Sequence, residues 1–395
     1  MRILSVSSPR DLKNLMRDML VDPYGIKIML PKAQAYLLKI NSLSSISANI
    51  LKQEMLSLGG DVALARNVLT GKVKEADCLV MGSLSQLLRL SNKLNMQPFS
   101  LANLSKELKS TLKNYQKERF QLKAGKYKLN LGSRTHLMGI LNITPDSFSG
   151  DGLSHLSVSE IVEYALRMVR DGADIIDLGG ESSRPGAKKV SLKNEITRVI
   201  PVIKALVNKI NVPISIDTCK PEVAKIALDN GATIVNDITG LRDAKMVKIA
   251  SCYKAAVVIM HMQGNPRSMQ KNPCYNSIID DISEYFKLTI KKARDLGVNE
   301  ESIIIDPGIG FGKTLSHNLE ILRRLKEFKS LGMPILIGTS RKSFIGRILK
   351  TEPDNRLLGT VASCVNASVN GANIVRVHDV KAVKGALKVS DSIKI

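Results

Sequence analysis

The chain has 395 residues, 44% of them hydrophobic, which is enough to bury a large core and to build two domains. Its five cysteines show no C-x-x-C spacing, and the sequence has neither 18 consecutive uncharged apolar residues nor a signal-peptide pattern, so we expect a cytoplasmic protein without zinc fingers, disulfides or membrane spans. Of the net charge of +22, +12 lies in residues 1–130, but only 4% of residues are aromatic, which disfavours nucleic-acid binding.

Residues 1–130 are predicted to form a small α+β domain, for which the sequence indicates no role. Ser8 and Pro9 are typical of a helix start, because serine can cap a helix and proline fits its first turn. The polar segment 124–126 is the expected domain boundary, since it follows the last predicted helix of this part of the chain. Strands are predicted at 24–30, 36–40 and 77–81, and helices at 45–58, 84–94 and 101–123.

Residues 131–395 repeat a strand, a loop and a helix eight times, which is typical of a (β/α)8 barrel. Helix 157–170 begins with Ser157 and Glu160 at capping-box spacing. We therefore predict an α/β protein, a TIM barrel with a smaller N-terminal α+β domain; an open doubly wound sheet is the alternative. The barrel strands are predicted at 136–142, 173–180, 213–218, 233–238, 256–262, 302–307, 334–339 and 373–378.

Each predicted barrel strand ends in polar side chains, and the carboxyl ends of barrel strands meet at one mouth. A single residue of this kind could be a helix cap or a turn, but eight strands that end alike predict a shared site. Its carboxylates and amides would pair with N–H donors of a substrate, and its cations with negative charge. The residues are Asn142, Glu181, Ser182, Ser183, Arg184, Asp217, Asn236, Asp237, His261, Asp306, Ser340, Arg341, Lys342, Arg376, His378 and Asp379.

The glycine-rich segment 308–314 follows a predicted strand and ends in Gly-Lys-Thr, as a phosphate-binding loop does. A P-loop needs a glycine five residues before Gly312, where this chain has Pro307. The dinucleotide-binding pattern also fails, because the third glycine comes one residue early. The segment therefore does not predict a nucleotide site.

Eight motifs, in this order, resemble those of dihydropteroate synthases, and the resemblance runs from residue 135 to about residue 395. It does not include residues 1–130. The motifs are M-G-I-L-N-I-T-P-D-S-F-S at 138–149, G-G-E-S-S-R-P-G at 179–186, I-D-T-C-K-P at 216–221, N-D-I at 236–238, H-M-Q-G-N-P at 261–266, D-P-G-I-G-F-G-K at 306–313, S-R-K-S at 340–343 and R-V-H-D at 376–379.

The resemblance implies a transferase that condenses 6-hydroxymethyl-7,8-dihydropterin pyrophosphate with p-aminobenzoate, giving 7,8-dihydropteroate and pyrophosphate in folate biosynthesis. It also implies Mg2+ as cofactor, small-molecule substrates as partners, and a homodimer. The matched positions imply a pterin site of Asp217, Asn236, Met260, Asp306, Phe311 and Lys342, a p-aminobenzoate site of Phe148, Ser183, Arg184, Pro185 and Ser343, and a pyrophosphate site of Asn142, Arg376 and His378. Asn142 is the implied metal ligand, and the catalytic residues are expected to be Asp217, Asp306, Lys342 and Arg376.

The sequence departs from the family pattern in two places: the order Gly150-Asp151 is reversed, and Ser183 stands where many relatives have threonine.

Two other hypotheses about the function remain open. A methyltetrahydropterin-dependent methyltransferase domain would share the barrel and the pterin-facing Asp and Asn. A pterin- or nucleic-acid-binding protein without catalysis would use the basic N-terminal domain as its interaction surface. Release of pyrophosphate in the presence of p-aminobenzoate distinguishes the synthase from both.

Overall fold

The computed structural model describes residues 1–6, 8–144, 152–182, 189–266 and 268–393. The chain forms two compact units, Met1–Lys113 and Asn114–Ile395. The division lies before the boundary predicted at 124–126, because a hairpin that precedes the barrel packs with it. In the part of the chain that is described, no helix combines the length and the apolar character needed to cross a bilayer.

The first unit is a small α+β fold in which helices cover a three-stranded antiparallel sheet. Val62 and Val80 of the sheet pack against Leu51, Leu87 and Leu94 of the helices. The elements are α1 (Pro9–Asp18), α2 (Pro23–Met29), β1 (Ala35–Ser44), α3 (Ser45–Leu56), β2 (Asp61–Leu64), α4 (Arg66–Leu69), β3 (Glu75–Ser83), α5 (Leu84–Leu94) and α6 (Leu101–Gln116), and the strand order is β1-β3-β2.

Two predictions for this region are wrong. Segment 24–30 is helical rather than extended, because Asp22 caps α2 by accepting from the Tyr24 amide at 2.8 Å and Pro23 occupies the first turn. The helix predicted at 101–123 ends at Gln116, and a strand begins at Phe120. The other predicted strands and helices of the unit are confirmed, including the Ser8 cap of α1.

The second unit is a closed barrel of eight parallel strands, which confirms the predicted fold. Its strands run in the order β11-β10-β9-β8-β7-β6-β13-β12, and a parallel bridge from Ile305 to Ile335 closes the ring. The hairpin is β4 (Phe120–Ala124) and β5 (Tyr127–Leu131), and the barrel strands are β6 (His136–Asn142), β7 (Ile175–Gly179), β8 (Ile214–Asp217), β9 (Ile234–Asp237), β10 (Ala256–Met260), β11 (Ile303–Asp306), β12 (Leu336–Ile337) and β13 (Ile374–Val377).

Helices cover the outside of the barrel and follow its strands. All eight strands lie within their predicted ranges, and α7 carries the predicted capping box of Ser157 and Glu160. The helices are α7 (Val158–Arg170), α8 (Leu192–Leu206), α9 (Pro221–Asp229), α10 (Ala244–Cys252), α11 (Ile278–Asp295), α12 (Leu315–Arg323), α13 (Ser343–Leu349), α14 (Leu357–Val369) and α15 (Val380–Ile393), with 3-10 turns at Glu300–Ser302, Leu325–Leu331 and Pro353–Asn355.

The hairpin fills the amino-terminal end of the barrel. Phe120 and Leu122 alternate along β4 and pack with Ile175, Ile234 and Ile374, each at the start of a barrel strand. This end is therefore an apolar floor, and the polar strand ends are left at the opposite mouth.

Candidate active site

A cleft of about 560 Å3 opens at the carboxyl ends of the barrel strands. The predicted residues Asn236, Met260 and Asp306 are buried at the ends of β9, β10 and β11. The structure thus brings the predicted pterin and pyrophosphate positions together at one mouth. The predicted residues that line the cleft are Asn142, Glu181, Ser182, Asp217, Phe311, Ser340, Arg341, Lys342, Ser343, Arg376 and His378.

The Arg376 guanidinium lies between two carboxylates at the base of the cleft. Its Nε donates to Asp177 Oδ2 at 2.6 Å, and its Nη2 donates to Asp217 Oδ2 at 2.6 Å. The side-chain amide of Asn236 donates to the same Asp177 oxygen at 3.1 Å. Because both carboxylates are buried, their charges depend on Arg376 for compensation. The four side chains form one connected polar layer.

Asp306 is held by the backbone of the loop that follows β11. The Gly308 amide donates to Asp306 Oδ1 at 2.8 Å. Gly308 has a φ of +71°, and a Cβ there would lie 2.1 Å from the carbonyl oxygen of His261. Only glycine fits this left-handed turn and this close approach, so the Asp306 carboxylate depends on a glycine at 308.

An apolar wall with a cation above it forms another side of the cleft. The Lys342 ammonium lies 4.2 Å from the centroid of the Phe311 ring, in cation–π geometry. Phe311 packs with Met260, Met262 and Met269 in a small buried cluster. This wall can contact the face of a flat ring.

Lys313 is a buried cation to which the sequence analysis assigned no role. Its ammonium donates to the carbonyl oxygens of Phe311 at 2.9 Å and His261 at 3.2 Å, and lies 3.1 Å from His261 Nδ1. Burial lowers the pKa of His261 to about 2, so the ring is neutral and can accept from the lysine. Burial also lowers the pKa of Lys313 to about 7. These contacts fasten the loop that carries Phe311 to the end of β10.

Two of the strand-end aspartates, Asp217 and Asp306, resist ionisation. Burial raises the pKa of Asp217 to about 7, although Arg376 opposes this effect. Burial likewise raises the pKa of Asp306 to about 6, against the Gly308 hydrogen bond and the charge of Lys342. Carboxylates shifted in this way, within a cleft, are typical of functional sites.

Polar contacts join the loops after β12 and β13. Ser340 Oγ lies 2.9 Å from His378 Nδ1 and accepts from the His378 amide at 3.2 Å. Arg341 forms a two-point ion pair with Asp379, at 2.8 and 3.1 Å. His378 is therefore held beside Ser340 at the rim.

The predicted p-aminobenzoate site is described only in part. Ser343 is exposed, begins α13 and lines the cleft. The other predicted residues of this site, and the reversed pair Gly150-Asp151, lie outside the described residues. The four p-aminobenzoate positions outside the described residues are Phe148, Ser183, Arg184 and Pro185.

Asn142 is the implied metal ligand and ends β6 at the cleft. Within the described ranges, no group of three His, Cys, Asp or Glu side chains could hold a metal ion. A Cβ at Gly179 would lie 3.3 Å from Asn142 Oδ1 and 3.9 Å from Asp217 Oδ2. The glycine therefore leaves space between this amide and this carboxylate.

The sequence prediction did not include Asp177, because only residues at strand ends were considered. A signal was present, since Asp177 is the one charged residue in the otherwise apolar strand β7. It also missed the cluster in which Lys220 donates to Glu181 and to the fully buried Glu195. A charged residue in an apolar segment is the pattern that could have indicated Asp177, whereas Glu195 follows the polar pair Lys193-Asn194 and shows no such signal.

Comparisons with known proteins agree with this geometry. A model of the pterin binding enzyme family matches residues 138–378. A dihydropteroate synthase from Synechocystis is 48% identical over 274 residues, which are 69% of this chain and 94% of that protein. A probable bifunctional folylpolyglutamate synthase/dihydropteroate synthase from Halobacterium salinarum is 37% identical over 398 residues, 98% of this chain and 46% of that protein. The crystal structure of Yersinia pestis dihydropteroate synthase in a sulfonamide drug complex aligns with a TM-score of 0.67 and 41% identity, covering 70% of this chain and 99% of that one. The chain therefore belongs to the dihydropteroate synthase family of pterin-binding enzymes.

Proposed function

We propose that the chain is a dihydropteroate synthase, which joins 6-hydroxymethyl-7,8-dihydropterin pyrophosphate to p-aminobenzoate and releases pyrophosphate. One observation carries this proposal: acceptors and cations surround a single cleft. Asp217 and Asp306 provide the acceptors, Lys342 and Arg376 the cations, and His378 an imidazole. A flat heterocycle with N–H groups, joined to a diphosphate, has the complementary chemistry. Family membership supports the same activity.

The pterin ring would bind at the ends of β8, β9 and β11. Asp217, Asn236 and Asp306 present oxygen acceptors there, and ring N–H groups are the donors they match. Met260 and Phe311 would contact the face of the ring, because they form the apolar wall. Lys342 lies over Phe311 and would meet a polar edge of the same ring.

The reaction forms one C–N bond and breaks one C–O bond. The nitrogen of p-aminobenzoate attacks the methylene carbon, pyrophosphate leaves with the bonding pair, and the amine loses a proton. Positive charge develops on the pterin methylene as pyrophosphate departs, and ionised Asp217 and Asp306 would stabilise it. The protein then acts by positioning and electrostatics, and no side chain has to act as a nucleophile.

The leaving group would be bound by Arg376 and His378, whose N–H donors suit phosphate oxygens. Asn142 would hold Mg2+, and one amide oxygen fits this ion, because Mg2+ in such sites keeps several waters and binds through substrate phosphates. When bound, the ion would neutralise charge on the departing pyrophosphate. The space beside Gly179 supports this placement, since a side chain there would crowd the Asn142 amide.

The acceptor p-aminobenzoate would enter at the rim formed by Ser343. The roles of Phe148, Ser183, Arg184 and Pro185 in this pocket are proposed from their positions in the family motifs. The hydroxyl of Ser343 is exposed to the cleft mouth and could donate to the carboxylate of the acceptor.

The decisive experiment is an assay of the purified full-length chain with dihydropterin pyrophosphate, p-aminobenzoate and Mg2+. We expect dihydropteroate and pyrophosphate in equal amounts, and no product when p-aminobenzoate is omitted. Asp217→Asn is the matched control, because it preserves the size of the side chain but removes its charge. If the folded protein bound the pterin substrate and made no dihydropteroate, the proposal would be wrong.

We also propose a cytoplasmic homodimer. Exposed apolar side chains on and beside α13 and α14 support association through this face, among them Ile348, Leu349, Leu358 and Val369. The cysteines are all free thiols, which suits a reducing compartment. Light scattering should give twice the chain mass, and Leu358→Glu should reduce it to that of a monomer.

A further inference from the structure

Asp177 lies one layer below the proposed pterin pocket. It is the third residue of β7 and has no exposed surface. Its neighbours Ile176 and Leu178 face the helices, so the carboxylate points into the barrel. In the sheet it pairs with Ile140 of β6 and Ser215 of β8. A charge at this depth requires an explanation, because an uncompensated buried carboxylate is strongly destabilising.

One oxygen of Asp177 serves two residues of the proposed site. Oδ2 accepts from Arg376 Nε at 2.6 Å and from Asn236 Nδ2 at 3.1 Å. The first contact fixes the plane of the guanidinium, because Nε lies in that plane. The second contact fixes the orientation of the Asn236 side-chain amide, since its NH2 group donates to Asp177. Asn236 is thereby left with its carbonyl oxygen for a ligand.

We propose that Asp177 is a positioning residue for the synthase reaction, holding the Asn236 amide and the Arg376 guanidinium in the orientation that receives the pterin substrate. The inference rests on the proposed function. Asp177 lies two residues below the end of β7 and is fully buried, so it acts only through these two side chains. Without it, the Asn236 amide can rotate to present its NH2 group, which would repel a ring donor. The Arg376 side chain would keep only its contact with Asp217.

Asp177→Asn tests the inference, because asparagine keeps the size of the side chain and one acceptor oxygen but loses the charge. We expect binding of the dihydropterin pyrophosphate substrate, and kcat/KM for it, to fall roughly 10- to 100-fold, since misorientation of positioning groups has effects of this size. The KM for p-aminobenzoate should change less than twofold. This split separates positioning from general damage to the fold, which would affect both substrates.

Ser215→Ala is the matched control. Ser215 is fully buried on β8, opposite Asp177, and its hydroxyl has no hydrogen-bond partner among the described residues. Its removal changes a polar atom in the same layer but leaves the contacts of Arg376 and Asn236 intact. We expect wild-type kinetics from this variant.

A double-mutant cycle with Arg376→Gln tests the route of action, because this variant removes the guanidinium that Asp177 contacts and leaves Asn236 in place. Because Asp177 also orients the Asn236 amide, adding Asp177→Asn to Arg376→Gln should still lower pterin binding, but by a smaller factor than Asp177→Asn causes in the wild type. Equal, additive losses would overturn the inference, as would wild-type kinetics in folded Asp177→Asn. Failure of the wild type to make dihydropteroate would instead contradict the proposed function.

Discussion

Replacing Asp306 by asparagine should stabilise the substrate-free protein while abolishing catalysis, and the gain should grow with pH. Asp306 is buried at the end of β11, and burial raises its pKa from 3.8 to about 6. Asparagine has the same shape and keeps an oxygen for the Gly308 amide, which donates at 2.8 Å. The substitution therefore removes the buried charge and preserves the hydrogen bond.

The sign of the pH dependence of stability follows from the direction of the pKa shift of Asp306. Because the pKa is raised in the folded state, the stability contributed by Asp306 is fully present below pH 3.8 and is lost as the pH rises through about 6. With about 1.4 kcal/mol per pKa unit, the wild type loses stability on the order of 3 kcal/mol by pH 8, and roughly half of this loss has occurred by pH 5. Asp306→Asn avoids this loss, so its advantage should increase by roughly 1 to 2 kcal/mol between these two pH values.

Urea unfolding of the ligand-free proteins, followed by circular dichroism at pH 5 and pH 8, measures this difference. Glu301→Gln is a control of opposite sign, because the ion pair with Lys123, at 2.5 Å, lowers the pKa of Glu301. That exposed pair stabilises the ionised carboxylate of Glu301, so Glu301→Gln should be slightly less stable than the wild type at pH 8. A pH-independent difference between Asp306→Asn and the wild type would refute the reasoning.

Three further predictions concern turnover. Asp217→Ala and Lys342→Ala should each lower kcat/KM roughly 100- to 1000-fold without unfolding the barrel, as measured by steady-state assay and circular dichroism. Arg376→Ala should mainly raise the KM for the pyrophosphate-bearing substrate; it should also lower the melting temperature, because Asp177 and Asp217 would stay buried without their cation. Chelation of Mg2+ by EDTA should stop product formation, and added Mg2+ should restore it; full activity in EDTA would contradict the proposed metal role.

The barrel was predictable because each strand is a short apolar run that ends in a polar residue. This pattern depends only on local sequence, and the parallel topology then places all the polar ends at one mouth. The hairpin was not predictable in the same way. Residues 117–123 continue the helical period of α6, but Phe120 and Leu122 alternate, and the barrel floor buries them as a strand. Gly125, which indicated a domain boundary, is the left-handed turn of that hairpin, with a φ of +56°.

Site residues could be predicted from the sequence where they lie at strand ends. They could not be predicted where they are buried beneath the strand ends and act through other side chains. Asp217 and Asp306 end their strands, so strand ends alone identify them. Asp177 lies two residues before the end of β7, and its importance comes from Arg376, which is 199 positions later in the chain. Lys313 was visible only as part of a motif, because its contacts with two carbonyl oxygens depend on the conformation of the glycine-rich loop. Contacts of this kind exist only in the folded protein.

The three proposed pterin acceptors share an arrangement that explains why the site is built from buried groups. Asp217 is fixed at Oδ2 by Arg376, Asp306 at Oδ1 by the Gly308 amide, and Asn236 at Nδ2 by Asp177. Within the described residues, each side chain keeps one oxygen that has no hydrogen-bond partner. Because the side chains are already oriented, a ligand that supplies donors does not have to order them on binding. As a consequence, ionisation of Asp217 and Asp306 is unfavourable, and donors on a bound pterin would relieve this cost. The stability gained by Asp306→Asn would therefore measure the free-energy cost of keeping this carboxylate buried and oriented before the substrate binds.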